Sequence, residues 1–157
     1  MRILAIDPGY DRLGIAVVEG TGNKPVLVWS DCLIPAKGAH HDRLSEVRMA
    51  VEEALAKYQP DMLAIEKLFF SVNKSSAMGV AEARGAVLAA IGRTGVPVQE
   101  FAPGTIKLAV TGNGAADKAA IAKMLPLLIT LPEKKRLDDE LDAIAIGITA
   151  LSVGFPH

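Results

Sequence analysis

The chain has 157 residues, half of them apolar, and a formal net charge of −1. At this length we expect a single domain over residues 1–157 that buries roughly two thirds of its unfolded surface. One cysteine, Cys32, excludes an internal disulfide framework and is expected to be a buried thiol in a reducing compartment. The sequence has no apolar run of the roughly 18 residues needed for a membrane span and no N-terminal targeting pattern, so we expect a cytoplasmic protein without a membrane partner.

The first third of the sequence predicts a meander of antiparallel strands followed by a helix. Residues 2–7, 14–20 and 25–34 are apolar runs separated by short turn-forming segments. Residues 42–58 carry apolar side chains at helical spacing on one face, and Pro60 ends this helix.

The rest of the sequence predicts alternating strands and helices. The further elements are a buried strand at 61–66, a helix at 75–93 with small residues four apart, a short strand at 96–101 and helices at 103–110, 115–130 and 137–153. Pro126 is expected to kink or shorten the penultimate helix. A strand reached through a helix crosses over onto the same sheet, so the predicted fold class is α/β. We expect a mixed five-stranded sheet, three antiparallel strands then parallel strands, flanked by helices on both faces.

Acidic residues at the edges of apolar runs are the strongest functional signal. Asp7 ends the first predicted strand and Glu66 ends the fourth, so they lie side by side if those strands are neighbours. Asp139 and Asp142 face the same way in the first turn of the last helix. Carboxylate oxygens are preferred ligands of Mg²⁺ and Mn²⁺, and two such ions can hold the attacking and leaving oxygens of a phosphoryl displacement. Their convergence therefore predicts metal-assisted hydrolysis.

Each of these residues also has a simpler explanation when it is taken alone. Asp7 can begin a turn before Pro8, Glu66 can be a surface charge, and the aspartates at 138–142 can be favourable first-turn charges worth about 0.3–1 kcal/mol each. Residues 67–123 contain seven basic residues and three acidic ones, which suits a polyanion partner but also an ordinary solvated surface. Only the joint placement of the acids favours the metal site.

Short motifs along the chain match those of a known family in order and spacing. They are IDPG, AIE followed by Phe69, Asn73 with Ser76 and Ala77, Ala83-Arg84-Gly85, Lys107, the glycine turn before Lys118, and D-x-x-DAxAIxIT. In these motifs the chain resembles, essentially end to end, the crossover junction endodeoxyribonucleases of the RuvC type, which are Holliday junction resolvases with a ribonuclease H-like fold. The resemblance implies a structure-specific endodeoxyribonuclease that makes paired metal-dependent nicks in homologous recombination and DNA repair.

The resemblance also implies the roles of individual residues. Asp7, Glu66, Asp139 and Asp142 become the catalytic ligands of two Mg²⁺ or Mn²⁺ ions, with Asp138 as an acid that either supplements or replaces Asp139. The two lysines expected near the scissile phosphate are Lys107 and Lys118. The residues expected to contact DNA are Phe69, which stacks at the opened junction centre, and Asn73 and Arg84. Lys67 and Lys74 flank the aromatic pair and can contact the strands that enter the centre, although each can also be an ordinary solvated surface charge.

The expected partners follow from the same resemblance. They are a four-way DNA junction, a second copy of the chain and a branch-migration helicase complex. A twofold-symmetric junction cut in two strands needs two active sites in a symmetric dimer, and the helix at 75–93 is the predicted interface.

Other families share parts of this pattern. The motif D-x-G-x-x-R-x-G-I-A, which begins at Asp7, also resembles pre-16S ribosomal RNA processing nucleases, whereas Glu66 followed by Phe69 fits the resolvases better. The actin and sugar-kinase nucleotide-binding domains also begin with an Asp-Gly hairpin, but they need a second domain for which 157 residues leave no room. A nonenzymatic junction-binding protein is the remaining alternative.

Overall fold

The computed structural model describes residues 1–68 and 74–155, without the side chains of residues 74–76. Its elements are β1 (Arg2–Asp7), β2 (Leu13–Thr21), β3 (Lys24–Leu33), α1 (His40–Tyr58), β4 (Met62–Glu66), α2 (Lys74–Ile91), β5 (Val98–Phe101), α3 (Pro103–Thr111), α4 (Lys118–Leu128) and α5 (Asp138–Val153). Every predicted strand and helix is present, with bounds that shift by a few residues.

The largest shift is at the start of α4, which begins later than predicted. The Asp117 side chain accepts a hydrogen bond from the Ala120 N–H at 2.8 Å, so Asp117 caps the helix. Pro126 lies in the last turn of α4, and the helix ends at Leu128. The predicted shortening of this helix by a proline is therefore confirmed.

The five strands form one sheet in the order β3-β2-β1-β4-β5. Strands β1 to β3 are antiparallel neighbours, while β4 pairs in parallel with both β1 and β5. The mixed sheet predicted from the sequence is confirmed. In the register of β1 and β4, Ile6 is the partner of Ile65, so Asp7 and Glu66 follow at the same edge of the sheet.

The two faces of the sheet support separate hydrophobic cores. On β1, Ile3 and Ala5 face the core formed with α3, α4 and α5, while Leu4 and Ile6 face the core formed with α1 and α2. Helix α5 is buried along most of its length. Even so, no helix in residues 1–68 or 74–155 is long and apolar enough to cross a membrane.

The expectation of a buried Cys32 is wrong. Cys32 is partly exposed because it lies on β3, the strand at the edge of the sheet that the described residues form. Partial burial, with a smaller effect from Asp139, raises the pKa of the thiol to about 11. The cysteine is therefore protonated and unreactive at neutral pH.

Candidate active site

The carboxyl ends of β1 and β4 form the floor of a cleft of about 310 Å³. Asp7 and Glu66 enter it from these two strands, and Asp142 enters it from the first part of α5. Helices α3 and α4 contribute the two lysines of the cleft, Lys107 and Lys118, together with the apolar residues Pro103, Ile106 and Ile121. The structure thus brings together residues that are far apart in the sequence.

Gly14 on β2 allows the start of α5 to approach this cleft. It is the register partner of Asp7. A Cβ atom added to Gly14 would lie 1.8 Å from the Asp139 carbonyl oxygen and 3.2 Å from Asp7 Cβ. Any other residue at this position would therefore push the first turn of α5 away from β1 and β2. Gly14 belongs to the D-x-G-x-x-R-x-G-I-A motif, but its contact with α5 is not visible in the sequence, because 125 residues separate it from Asp139.

The acidic residues of the cleft destabilise one another in their ionised forms. Burial, followed by the charges of Asp142, Glu66 and Asp139, raises the pKa of Asp7 from 3.8 to about 8. Burial and the charge of Asp142 also raise the pKa of Glu66, although Lys118 and Lys107 oppose the shift. Such uncompensated negative charge is what a bound divalent cation would neutralise.

Two basic side chains hold the aspartates of α5. Lys118 Nζ lies 2.7 Å from Asp142 Oδ2, and Arg12 Nη1 lies 3.5 Å from Asp139 Oδ2. Burial alone would lower the pKa of Lys118, but the hydrogen bond and the charge of Asp142 outweigh it and raise the pKa overall.

The arrangement of the side chains is not yet that of a metal centre. Within the described part of the chain, no three Asp, Glu, His or Cys side chains converge closely enough to hold an ion. Asp142 and Asp139 instead pair with Lys118 and Arg12, at 2.7 Å and 3.5 Å. The donor set still fits Mg²⁺ or Mn²⁺, since it consists of carboxylate oxygens whose charge exceeds that of the nearby lysines. A metal here would replace the two basic side chains as the partner of the aspartates.

The structure distinguishes Asp139 from Asp138. Asp139 raises the pKa of Asp7 and contacts Arg12, whereas Asp138 is exposed and is absent from the groups that perturb Asp7. Asp139 is therefore the residue of this pair that faces the cluster.

The predicted DNA-contacting residues are described only in part. Phe69 and Asn73 lie outside the described residues, as does the side chain of Lys74. Lys67 is exposed beside the carboxylates, where it lines an adjoining cavity with Asp7 and Glu66. Arg84 forms an ion pair with Glu100 on β5, and only 19% of its side chain is exposed. A contact between Arg84 and DNA therefore stays a prediction, and this internal pair competes with it.

Comparisons with known proteins agree on one family. The family model described as crossover junction endodeoxyribonuclease RuvC matches residues 3–150. A protein of that description from Parafrankia sp. (strain EAN1pec) is 39% identical over 153 residues, which cover 96% of this chain and 86% of the relative. Another from Chlorobaculum parvum is 40% identical over 155 residues, which cover 98% of this chain and 83% of the relative.

Solved structures show the same likeness. The T. thermophilus RuvC in complex with Holliday junction substrate matches with a TM-score of 0.88 at 33% identity, over 95% of this chain and 92% of that one. The yeast mitochondrial Holliday junction resolvase Ydc2 matches with a TM-score of 0.69 at 11% identity, over 96% and 77% of the two chains, and supports the fold alone. The predicted ribonuclease H-like fold is thereby confirmed.

The raised pKa of Asp7 predicts how the metal-free protein responds to pH. The folded state holds the Asp7 proton more tightly than the unfolded state does. The protonated Asp7 therefore makes its full contribution to the free energy of unfolding below about pH 4, and this contribution is lost as the pH rises to about 8. Asp7→Asn removes that loss. In EDTA, the variant should melt about 5 °C above the wild type at pH 8, and the gain should shrink towards pH 5. Thermal melts across this range test the expectation, and a variant that is less stable than the wild type at pH 8 would refute it.

The close approach at Gly14 predicts a severe effect of one methyl group. Gly14→Ala should displace the first turn of α5 and lower the rate of metal-dependent cleavage of branched DNA about 100-fold, as expected for a misplacement of about 1 Å. Gly38→Ala is the matched control, because a Cβ atom there meets no atom within 4 Å. Initial rates under identical metal concentrations provide the comparison. Equal rates for the two variants would show that Gly14 does not set the position of α5.

Proposed function

This chain belongs to the RuvC family of crossover junction endodeoxyribonucleases, and we propose that it cuts Holliday junctions with the carboxylates gathered at the ends of β1, β4 and α5. The protein is a divalent-metal-dependent nuclease of recombination and repair, as its family is. The observation that supports this particular site is the convergence of Asp7, Glu66 and Asp142 in one cleft with Lys107 and Lys118.

We propose that Asp7, Glu66, Asp139 and Asp142 hold two Mg²⁺ or Mn²⁺ ions. The donor chemistry supports this proposal, as do the raised pKa values of Asp7 and Glu66, which burial and then the neighbouring carboxylates cause. Bound ions of this kind activate a water molecule and stabilise charge on the phosphate oxygens. In-line attack on the phosphodiester would leave a 5′-phosphate and a 3′-hydroxyl, as the family resemblance implies.

The two lysines have distinct tasks in this scheme. Lys118 lies 2.7 Å from Asp142, so its ammonium group would be available for another partner if the Asp142 carboxylate held a metal ion instead. The freed charge can then contact a phosphate oxygen of the strand to be cut. Lys107 lies on α3 and lines the same cleft. Its positive charge can contact a phosphate of the DNA backbone whatever the base sequence. The lysines therefore position the phosphate backbone next to the carboxylates.

The proposed substrate is a four-way DNA junction, such as the one that the Thermus relative binds in its solved structure. Membership of a family of DNA endonucleases favours this substrate over the RNA substrates of the alternative considered above. Lys67, next to the carboxylates, can contact a strand that enters the cleft. The proposed contacts of Phe69, Asn73, Lys74 and Arg84 rest on the family resemblance.

Paired nicks require two copies of this cleft, and we propose a homodimer that forms through α2. The outer face of α2 carries exposed Met78, Gly85 and Ala89, while Ala83 and Val87 on the opposite face are buried in the protein's own core. Small and apolar exposed residues allow two such helices to pack closely. We also propose a branch-migration helicase as a further partner, a cytoplasmic location, and a single nuclease domain over residues 1–157.

Neighbouring aspartates offer a sharp test of the proposed site. Asp139→Asn should lower the rate of junction cleavage at least about 100-fold, because it removes a ligand, while junction binding persists. Asp138→Asn changes the charge by the same amount one residue away and should cleave at nearly the wild-type rate, since Asp138 faces solvent. The assay compares a synthetic mobile junction, a linear duplex and an RNA hairpin in Mg²⁺, Mn²⁺ and EDTA.

The expected result for the wild type is paired, symmetric nicks in the junction alone, and only with a divalent ion. Cleavage of the RNA hairpin or the linear duplex at a comparable rate would contradict the proposed substrate. Unimpaired cleavage by Asp139→Asn would contradict the proposed ligand set.

A further inference from the structure

Glu140 is a buried acid beside the cleft that the proposed chemistry does not use. Its side chain is only 4% exposed, and it lies in the first turn of α5 between Asp139 and Asp142. Three groups converge on its Oε1 atom. The Ser30 hydroxyl donates a hydrogen bond to it, and Lys134 Nζ and Arg136 Nε form ion pairs with it at 2.7 Å and 3.3 Å. Arg136 Nε makes no hydrogen bond.

This cluster joins three separate parts of the fold. Ser30 belongs to β3, and Lys134 and Arg136 belong to the connection between α4 and α5. Lys134 Nζ also donates to the Ser30 carbonyl oxygen at 2.9 Å. The Arg136 side chain is only 7% exposed, and the carboxylate of Glu140 is the counterion that compensates its buried positive charge. The Glu140 side chain therefore fastens the start of α5 to the sheet and to the preceding loop.

The other ion pairs at the start of α5, those of Asp139 with Arg12 and of Asp142 with Lys118, lie on the side of the helix that faces the cleft. The N-cap residue, Leu137, makes no side-chain capping hydrogen bond. Successive residues of a helix are rotated by about 100° around its axis, so the side chains of Asp139 and Asp142 project about 60° apart. The Glu140 side chain projects about 100° from Asp139 and about 160° from Asp142. Glu140 thus holds the helix from the side opposite the cleft. Gly14 on β2, which has no Cβ atom, allows the same turn to lie close against the sheet.

We propose that Glu140 is a positioning residue that sets the rotation of α5 and thereby aims Asp139 and Asp142 at Asp7. This inference rests on the metal site of the proposed function. Loss of the Glu140 charge leaves Arg136 buried without its counterion and allows the first turn to rotate. The affinity of the carboxylates for metal then falls, because both aspartates move together. Residues that orient metal ligands typically change metal affinity 10–100-fold when they are substituted.

The test is calorimetric titration of Mn²⁺ into the full chain. Glu140→Gln keeps the size of the side chain and its hydrogen bond to Ser30 but removes the charge, and Mn²⁺ should bind it about 10-fold more weakly than it binds the wild type. Glu133→Gln is the matched control, because it removes an equal charge from an exposed position in the same connection. Val51→Ala, in the core on the other face of the sheet, lowers stability without touching α5 and should keep wild-type affinity.

A second readout separates positioning from general damage. Junction cleavage by Glu140→Gln should approach the wild-type rate when the Mn²⁺ concentration is raised about 10-fold, since the aspartates themselves are intact. If Glu140→Gln does not fold, Ser30→Ala removes the hydroxyl that donates to Glu140 and leaves both ion pairs, so it should weaken Mn²⁺ binding about 3-fold, less than loss of the charge does.

The outcomes distinguish this inference from the proposed function. Wild-type affinity in Glu140→Gln, or in Ser30→Ala if the first variant does not fold, would overturn the positioning role while the metal site stands. Equal weakening in Glu133→Gln would also overturn it, since charge alone would then explain the effect. Failure of the wild type to bind Mn²⁺, or unchanged binding by Asp142→Asn, would overturn the metal site itself.

Discussion

The cost of gathering Asp7, Glu66 and Asp142 in one partly buried cleft is the constraint on which the rest of the structure depends. Burial is the largest cause that raises the pKa of Asp7 and of Glu66, and repulsion from the Asp142 carboxylate adds to it. The metal-free fold must therefore overcome this repulsion with interactions made elsewhere. It does so with Lys118, which pairs with Asp142, and with two hydrophobic cores that fix the elements carrying the acids. Functional sites of enzymes commonly lower the stability of the fold in this way.

The sheet explains how the acids are held in place in spite of that repulsion. Strands β1 and β4 are parallel neighbours at its centre, so Asp7 and Glu66 cannot separate without loss of the strand pairing. Helix α5 packs over β1 and β2 and is buried from Ala143 to Leu151. Its first turn is less buried; Gly14 lets this turn lie close to the sheet, and the ionic cluster around Glu140 holds it there. The rigid core thus determines the geometry of a site at its edge.

Much of the fold could be predicted because strands and helices differ in hydrophobic period. The neighbouring positions of Asp7 and Glu66 also followed from the strand and helix order, and the structure confirms that adjacency. Other features depend on contacts between distant segments. The choice between Asp138 and Asp139 depends on the rotation of α5, and Glu140 looks in the sequence like any first-turn acid until Ser30 on β3 and Lys134 are placed beside it. The pairing of Arg84 with Glu100 was equally invisible, since 16 residues separate them.

The most direct test of the metal site is anomalous scattering from crystals of the protein grown with Mn²⁺. If the carboxylates form the metal site, the anomalous density lies in the cleft, bounded by Asp7, Glu66 and Asp142, and Lys118 Nζ has moved away from Asp142. Manganese bound elsewhere on the protein, with the contact between Lys118 and Asp142 unchanged, would contradict the account.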